Sequence, residues 1–451
     1  MTLATPFSVV ILAAGKGTRM RSKLHKVLHK VAGHPMLLHL LDTVDALGAS
    51  RRVVVVGDGR EQVEAALKGR DVAVAVQEPQ QGTAHAVQQA REALAGFDGH
   101  ILILYGDTPF VEAATLEAML GRLDGNDGPA AIVLASSPAD PMHYGRIIRA
   151  EGDVIAKMVE YKDATEEERA VRLCNSGMMA VRSADLWRWL DLVGNDNASG
   201  EYYLPDVVNI AGREGRTSRV IETEAWQTHG INSRAELAVA EREWQRRRRV
   251  SAMLGGASLT DPDSVWFAFD TTIAQDVTVE PHVVFGPGVT IAEGARIRGF
   301  SHIEGAVIGA RAEVGPFARL RPGTELGEGS KIGNFVEVKK ASFAAGAKAN
   351  HLSYIGDATV GAKANIGAGT ITCNYDGFGK YRTIIGEGAF IGSNTALVAP
   401  VTIGDGAIVG AGSVITSDVE ADSLAVERSE QKGVAGWAKR FRERMAKKAA
   451  E

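Results

Sequence analysis

An aliphatic residue at every sixth position dominates the second half of this chain, and few folds accept such a period. Ile273, Val279, Phe285, Ile291, Ile297 and Ile303 form one run. After a five-residue step, Ile308, Val314, Leu320, Leu326, Ile332 and Val338 form a second. Ile385, Ile391, Leu397, Ile403, Val409 and Ile415 form a third. Glycine often follows the apolar position, as at Ile308-Gly309, Ile332-Gly333 and Ile403-Gly404. Neither a helix (about 3.6 residues per turn) nor a half-buried strand (period of about 2) yields a strict six. Six residues fit one side of a triangular coil whose aliphatic side chain points inward. Three such sides close one turn of a parallel β-helix.

The first half follows another pattern. Phe7–Ala14, Arg52–Val56, Val72–Val76, Ile101–Leu104 and Ala131–Ala135 read as strands. Met36–Leu47, Glu61–Leu67 and Thr83–Leu94 have helical periodicity. The alternation predicts an α/β domain with a mostly parallel sheet, whose ligands bind outside the carboxyl ends of the strands. From Ala235 to about Leu254 no Pro or Gly intervenes, so a linking helix is expected. Its Arg246–Arg249 run reads as a solvated face, and the basic segment Trp437–Lys448 as a surface helix. The expected division is therefore 1–234, a helix over 235–254, and a repeat domain with its tail over 255–451.

The first strand runs into Leu12-Ala13-Ala14-Gly15-Lys16-Gly17-Thr18-Arg19-Met20, and Lys26 follows. A strand ending in such a loop offers bare N–H groups to an anion, and Gly15 and Gly17 let it approach. Arg19 and Lys26 add charge for phosphates. A P-loop would need Gly-Lys followed by Ser or Thr, and here Gly17 follows. A dinucleotide fingerprint would need Gly where Met20 stands. The loop instead resembles the signature of sugar-1-phosphate nucleotidylyltransferases.

Composition narrows the partners. A net charge of −5 over 451 residues points to neither nucleic acid nor membrane. Cys174 and Cys373, the two cysteines, give no disulfide framework or thiolate metal site. The first apolar run has no basic residue ahead of it and is broken by Gly-Lys-Gly, so no signal peptide is expected. The cytoplasm is the expected compartment.

Tyr105-Gly106-Asp107 follows the Ile101–Leu104 strand, where a carboxylate can share Mg²⁺ with substrate phosphates. Gln77 lies just past another strand, and Gln80-Gln81-Gly82-Thr83 opens a helix. These groups can read a base edge, although Thr83 could simply cap its helix. Tyr144-Gly145-Arg146, Val159-Glu160-Tyr161, Asn175-Ser176-Gly177 and Gly230-Ile231-Asn232 follow in order. Together these motifs resemble the bifunctional enzymes of bacterial UDP-N-acetylglucosamine synthesis, from about Phe7 to about Trp437. In that family a glucosamine-1-phosphate N-acetyltransferase is joined to an N-acetylglucosamine-1-phosphate uridylyltransferase. The resemblance implies a Rossmann-like nucleotidyltransferase domain and a left-handed winding of the β-helix. It implies that Leu12, Ala13, Ala14, Gly15, Arg19 and Lys26 meet UTP, with Gln77, Gly82 and Thr83 at the uracil. Tyr105 and Gly106 line the same site, Gly145, Glu160 and Asn175 contact the sugar, and Asp107 and Asn232 hold Mg²⁺.

In the repeat domain, Asn350-His351-Leu352-Ser353-Tyr354 and Ile371-Thr372-Cys373-Asn374-Tyr375-Asp376-Gly377 break the pattern with polar residues. Insertions in a solenoid map to one face and often bind ligands. The resemblance implies His351 as general base toward the 2-ammonium of glucosamine-1-phosphate. It implies Arg321 and Lys339 at the sugar phosphate, with Tyr354, Asn365 and Asn374 at the sugar. Tyr375 would orient the acceptor or the carbonyl, and with Asn374 it counts among the acetyl-CoA contacts, beside Ala368, Ser393, Ala411 and Arg428. It implies a homotrimer that needs no partner beyond its small-molecule substrates. Two rivals remain: a single-function nucleotidylyltransferase arranged as in glucose-1-phosphate adenylyltransferases, and a non-catalytic scaffold. The Asp107/Asn232 pair and the first loop argue against the scaffold.

Overall fold

Phe7–Leu12 (β1), with the sequence Phe-Ser-Val-Val-Ile-Leu, is the middle of a sheet and is buried on both faces. Val10 points into one hydrophobic cluster, and Val9 and Ile11 point into the other. The strands around it are Arg51–Val56 (β2), Ala73–Val76 (β3), His100–Tyr105 (β4), Ala131–Ser136 (β5), Cys174–Arg182 (β6) and Arg219–Thr223 (β7). Their order is β7-β5-β6-β4-β1-β2-β3. All neighbours are parallel except β6, which runs antiparallel to β4 and β5. Sequence alternation thus anticipates β1 to β5, and it missed β6 and β7. This computed structural model describes residues 5–124, 128–141 and 143–450. One compact unit ends at Arg247 and the other begins at Arg248.

The helix expected over Thr83–Leu94 stops at Gln88. The Gln89 side chain donates to the carbonyl of His85 (3.0 Å), the acceptor its own backbone N–H would use in a continuing helix. That N–H turns to Ala86 O instead, which tightens the chain into turns.

The linking helix spans Arg234–Leu254. Its arginine run is not a solvated face. Arg246 does face solvent, paired with Glu243. Arg247, however, stacks over the Trp226 ring at 3.4 Å and bonds Glu224. Arg248 donates to Thr271 O (2.6 Å), and burial pulls its guanidinium pKa down. Arg249 is only 6% exposed and donates to Pro262 O. These side chains bury their stems and satisfy backbone carbonyls at the start of the repeat unit, a packing role that the charge run concealed.

In the second unit the repeat becomes a β-helix. Thr272 pairs with Thr290, Thr278 with Arg296, and Val284 with His302, so each coil advances 18 residues. The five-residue step shortens a coil to 17, pairing Thr290 with Val307. The insertion after Cys373 lengthens another to 25, pairing Asn365 with Phe390. From Val279 onward the period-six aliphatics of all three runs are buried; Ile273, in the first coil, is half-buried. The exposed C-terminal helix Trp437–Ala450 follows. Among the described residues no helix is long and apolar enough to cross a membrane. Truncating one inward residue removes contacts that the stacked coils cannot refill. Ile297→Ala is expected to cost about 2–5 kcal/mol, read as a lower denaturation midpoint for this unit; a change below about 0.5 kcal/mol would contradict an inward-packed Ile297.

Candidate active sites

β1 to β4 all point their carboxyl ends at one edge of the sheet, and the sequence places polar loops there. After β1, Gly17 adopts φ +61°, and a Cβ on it would lie 2.7 Å from Lys26 Cβ. Lys26 is therefore packed against the glycine loop. Its Nζ donates to Asp107 Oδ2 (2.5 Å) and to Asn232 Oδ1 (3.1 Å). Asp107, just past β4, is joined to the Asn232 loop by the bond from Ile231 N–H to Asp107 O (2.9 Å). Asn232 is fixed in turn by the next helix. Glu236 accepts from the Asn232 and Ser233 N–H groups, and Ser233 Oγ accepts from Glu236 N–H. That reciprocal Ser233/Glu236 arrangement is a capping box, legible as Ser-x-x-Glu. One carboxylate oxygen and one amide oxygen, 125 residues apart, thus converge on a single cation. This donor set suits Mg²⁺ shared with phosphates. Among the described residues no group of three or more His, Cys, Asp or Glu could hold a metal by itself.

A cleft of about 1040 Å³ opens here, lined by Leu12, Ala13, Ala14, Gly15, Lys26, Gln77, Gly82, Thr83, Tyr105 and Asp107, among others. Gln77 is buried beyond β3, and its Nε2 donates to Gly82 O (2.9 Å). Gly82 has φ +116°, and a Cβ would strike Tyr202 O at 2.5 Å. Thr83 does not cap its helix; its Oγ1 accepts from Leu204 N–H. Gln80, from the same helix-opening segment, bonds the Ala14 carbonyl and ties this loop to the glycine loop.

Deeper in, a register shift in β6 between Asn175, which pairs with Ala135, and Met179, which pairs with Val133, lifts Ser176, Gly177 and Met178 out of the ladder. Gly177 has φ +83°, and a Cβ would lie 2.6 Å from the Tyr105 ring. Asn175 N–H donates to Gly145 O (2.9 Å), and a Cβ on Gly145 would lie 3.3 Å from Glu160 Oε2. Gly145, Glu160 and Asn175 are thereby gathered as expected. Burial pushes the Glu160 carboxyl up, and Asp163, Asp206 and Glu201 add to the effect. Burial, with Glu160 nearby, also pushes the Tyr105 phenol well up. Gly106 is held by its N–H on Leu12 O. Arg19 sits apart from Lys26. It lines a smaller recess of about 310 Å³ that shares Tyr105 and Asp107 with the main cleft and adds Asn232 and His143.

The second unit builds its candidate site along one corner of the coil. Two residues past successive inward aliphatics come Asn334, His351, Ala368, Ser393 and Ala411. Asn334 pairs in register with His351, and the next residues climb the corner by Leu352 N–H to Asn334 O, Gly369 N–H to His351 O, Asn394 N–H to Ala368 O and Gly412 N–H to Ser393 O. His351 and three expected acetyl-CoA contacts thus form one column. His351 Nδ1 lies 2.6 Å from Asn334 Oδ1. That oxygen can only accept, so Nδ1 carries the proton and Nε2 is left with a lone pair. Arg428 closes the upper end by donating to Ala411 O (2.7 Å).

On the adjoining wall, Arg321 pairs with Glu337 (2.9 Å), and Glu337 pairs in register with Tyr354. A Cβ on Gly356 would lie 2.5 Å from the Tyr354 hydroxyl and 2.8 Å from Asn374 Nδ2. Buried Asn374 is locked by Asp357 (2.5 Å). Lys380, unremarked in the sequence, comes from the inserted loop. Its hydrogen bond and charge, then Arg321, hold Lys339 below the ordinary lysine range. Three like charges, Arg321, Lys339 and Lys380, thus act on one another at this wall. Asn365 lies on a flat face between Lys348 and Phe390, and Tyr375 is exposed with its hydroxyl on Gly377 O (2.6 Å).

Fold and sites together define a two-headed transferase: a nucleotidyltransferase-type domain followed by a hexapeptide transferase domain. The family description "MobA-like NTP transferase domain" matches residues 9–174, and "Bacterial transferase hexapeptide (six repeats)" matches 305–340 and 382–417. The chain is 64% identical over 445 residues to the bifunctional protein GlmU of Sphingopyxis alaskensis, covering 99% of this chain and 98% of that protein. It is 67% identical over 446 residues to that of Rhizorhabdus wittichii (99% of each) and 59% over 450 residues to that of Zymomonas mobilis (99% and 100%). The chain belongs to the GlmU family, bifunctional enzymes with uridylyltransferase and acetyltransferase activities that make UDP-N-acetylglucosamine.

The raised Glu160 pKa has a consequence for stability. Folding favours the protonated carboxyl, so this group's contribution is full below its ordinary value of 4.5 and is lost as pH rises through its folded value. Glu160→Gln is expected to melt at a higher temperature than wild type at pH 8, with the gain shrinking toward pH 4. An equal difference at both pH values would count against a desolvated carboxylate.

Proposed function

We propose that each activity is carried by the residues gathered at one of the two sites. The observation that carries the first assignment is the convergence of Asp107 and Asn232 on one cation at the carboxyl edge of the sheet. A phosphate oxygen of N-acetylglucosamine-1-phosphate attacks the α-phosphorus of UTP. The new P–O bond forms as the bond to pyrophosphate breaks, and no general base is needed because the nucleophile is already an anion. Asp107 and Asn232 would hold Mg²⁺, which would supply charge neutralisation at the phosphates. Lys26 lies beside these two residues to meet phosphate charge, and Arg19 meets it from the adjoining recess. Gln77, Gly82 and Thr83 take the uracil, while Gly145, Glu160 and Asn175 take the sugar.

In the second reaction His351 Nε2 removes a proton from the 2-ammonium of glucosamine-1-phosphate. The freed amine attacks the acetyl-CoA thioester carbonyl, the C–N bond forms, and the C–S bond breaks with the sulfur leaving as CoA thiol. Asn334 is a positioning residue, holding the tautomer that leaves Nε2 free. Arg321, Lys339 and Lys380 hold the sugar phosphate. Tyr354, Asn365 and Asn374 place the sugar, while Ala368, Tyr375, Ser393, Ala411 and Arg428 receive acetyl-CoA. The exposure of His351, Ser393 and Ala411 on a single chain supports a homotrimer in which a neighbouring coil covers the column. The use of UTP and acetyl-CoA supports a cytoplasmic location.

Two tests separate these roles. Lys26→Ala, or chelation of Mg²⁺ in the wild type, is expected to cut uridylyl transfer by roughly 100-fold or more and leave acetyl transfer unchanged. Normal uridylyl turnover in either case would remove the phosphate and metal roles. Asn334→Ala is expected to lower acetyl-transfer kcat about 10–100-fold and move the acidic limb of its pH profile, with KM little changed. An unmoved profile would leave Asn334 without a role in setting the base.

A further inference from the structure

The corner that carries His351 changes character at its coil. In chain order its left-handed positions are His282, Phe300, Phe317, Phe335 and Leu352, then Gly369, Asn394 and Gly412. The first five have φ between 52° and 59°, a region bulky residues rarely occupy. The rings of the first four form a stacked ladder, with His282–Phe300, Phe300–Phe317 and Phe317–Phe335 centroids 4.8, 4.9 and 5.1 Å apart, and Leu352 takes the next position on the corner. Phe335 is 55% exposed and Leu352 63% exposed, so neither serves the buried core. Above Leu352 the corner is stripped to Ala368-Gly369, Ser393-Asn394 and Ala411-Gly412. Small residues leave room for an extended ligand lying along the corner, and large ones close that room. The change falls at His351, whose imidazole bonds Asn334, the residue before Phe335.

We propose that Leu352, backed by Phe335, is the end wall of the acyl-thioester channel and restricts transfer to short acyl groups. The inference rests on the proposed placing of acetyl-CoA along the Ala368–Ser393–Ala411 column. A thioester held there presents its carbonyl at His351 and directs the acyl methyl onward along the corner, toward Leu352 and Phe335. An acetyl group ends before this wall; each further methylene must displace the Leu352 side chain. The wall is apolar, so it excludes by shape and leaves the proton removal by His351 untouched. Discrimination by one or two methylenes in an apolar pocket runs from about 10- to 200-fold, which is the scale expected between acetyl and butyryl donors.

The test compares acetyl-CoA with butyryl-CoA as donors to glucosamine-1-phosphate, in the full-length enzyme, for wild type, Leu352→Ala, Leu352→Met and Phe300→Ala. Leu352→Ala is expected to raise the butyryl-to-acetyl ratio of kcat/KM about tenfold or more. Leu352→Met, which keeps the volume, should leave the ratio near wild type. Phe300→Ala, lower on the same ladder, should leave it unchanged and so separates a wall from general loosening of the corner. An unchanged ratio in Leu352→Ala overturns the proposal, whether the absolute rates are kept or fall together. A ratio raised equally by Phe300→Ala also overturns it. His351→Ala in the same assay distinguishes the deeper failure: retained acetyl transfer would remove the site itself, whereas lost transfer with an unchanged Leu352→Ala ratio removes only the wall.

Discussion

Parallel pairing is the constraint on which both sites depend. Strands that run the same way in register deliver the residues just beyond their ends to one line. In the sheet, Gly15, Gly57, Gln77 and Asp107 follow four strands and line one cleft. In the coil, the same rule operates at a pitch of 17 or 18 residues, stretched to 25 where the insertion loops out, and Asn334, His351, Ala368, Ser393 and Ala411 fall into one column. The chain therefore needs no long-range coincidence to assemble a site on the coil. A polar residue placed two positions after an inward aliphatic is already aligned with its counterparts above and below.

The two sites differ in what the protein has to supply. At the sheet edge the problem is charge, because two phosphate-bearing substrates must meet. The answer is a compact cluster in which Lys26 is held between Asp107 and Asn232, with Asn232 pinned by a helix cap. At the coil corner the problem is a proton and a reactive carbonyl. There a single imidazole, fixed by one amide oxygen, stands at the start of a column of small residues, and the cations Arg321, Lys339 and Lys380 lie on the adjoining wall. Preorganisation in the first case comes from side-chain ion pairing, and in the second from backbone register.

Much of this was legible because each signal is local. A period of six needs no tertiary information, so the coil and its inward residues could be read from the runs through Ile291 and Val409. The glycine loop and the Asp107 position follow from strand ends in the same way. What escaped depends on partners distant in sequence. Arg248 and Arg249 look like solvated charge until the carbonyls of Thr271 and Pro262 are placed beside them. The shortened helix at Gln88 depends on which carbonyl the Gln89 side chain takes. Lys380 carried no motif, yet the inserted loop turns it onto Lys339. Arg19 and Lys26 lie close in sequence but line separate recesses, which meet at Tyr105 and Asp107.

The central claim is that two separate residue sets carry two separate reactions on one chain. Its most direct test is a reciprocal pair, Asp107→Asn and His351→Ala. Pyrophosphate release from UTP with N-acetylglucosamine-1-phosphate, and acetyl transfer to glucosamine-1-phosphate, would be measured on the same preparations. The account predicts that Asp107→Asn loses only the first activity and His351→Ala only the second, and that a mixture of the two variants makes UDP-N-acetylglucosamine from glucosamine-1-phosphate. Loss of both activities in either variant, or retention of acetyl transfer by His351→Ala, would contradict it.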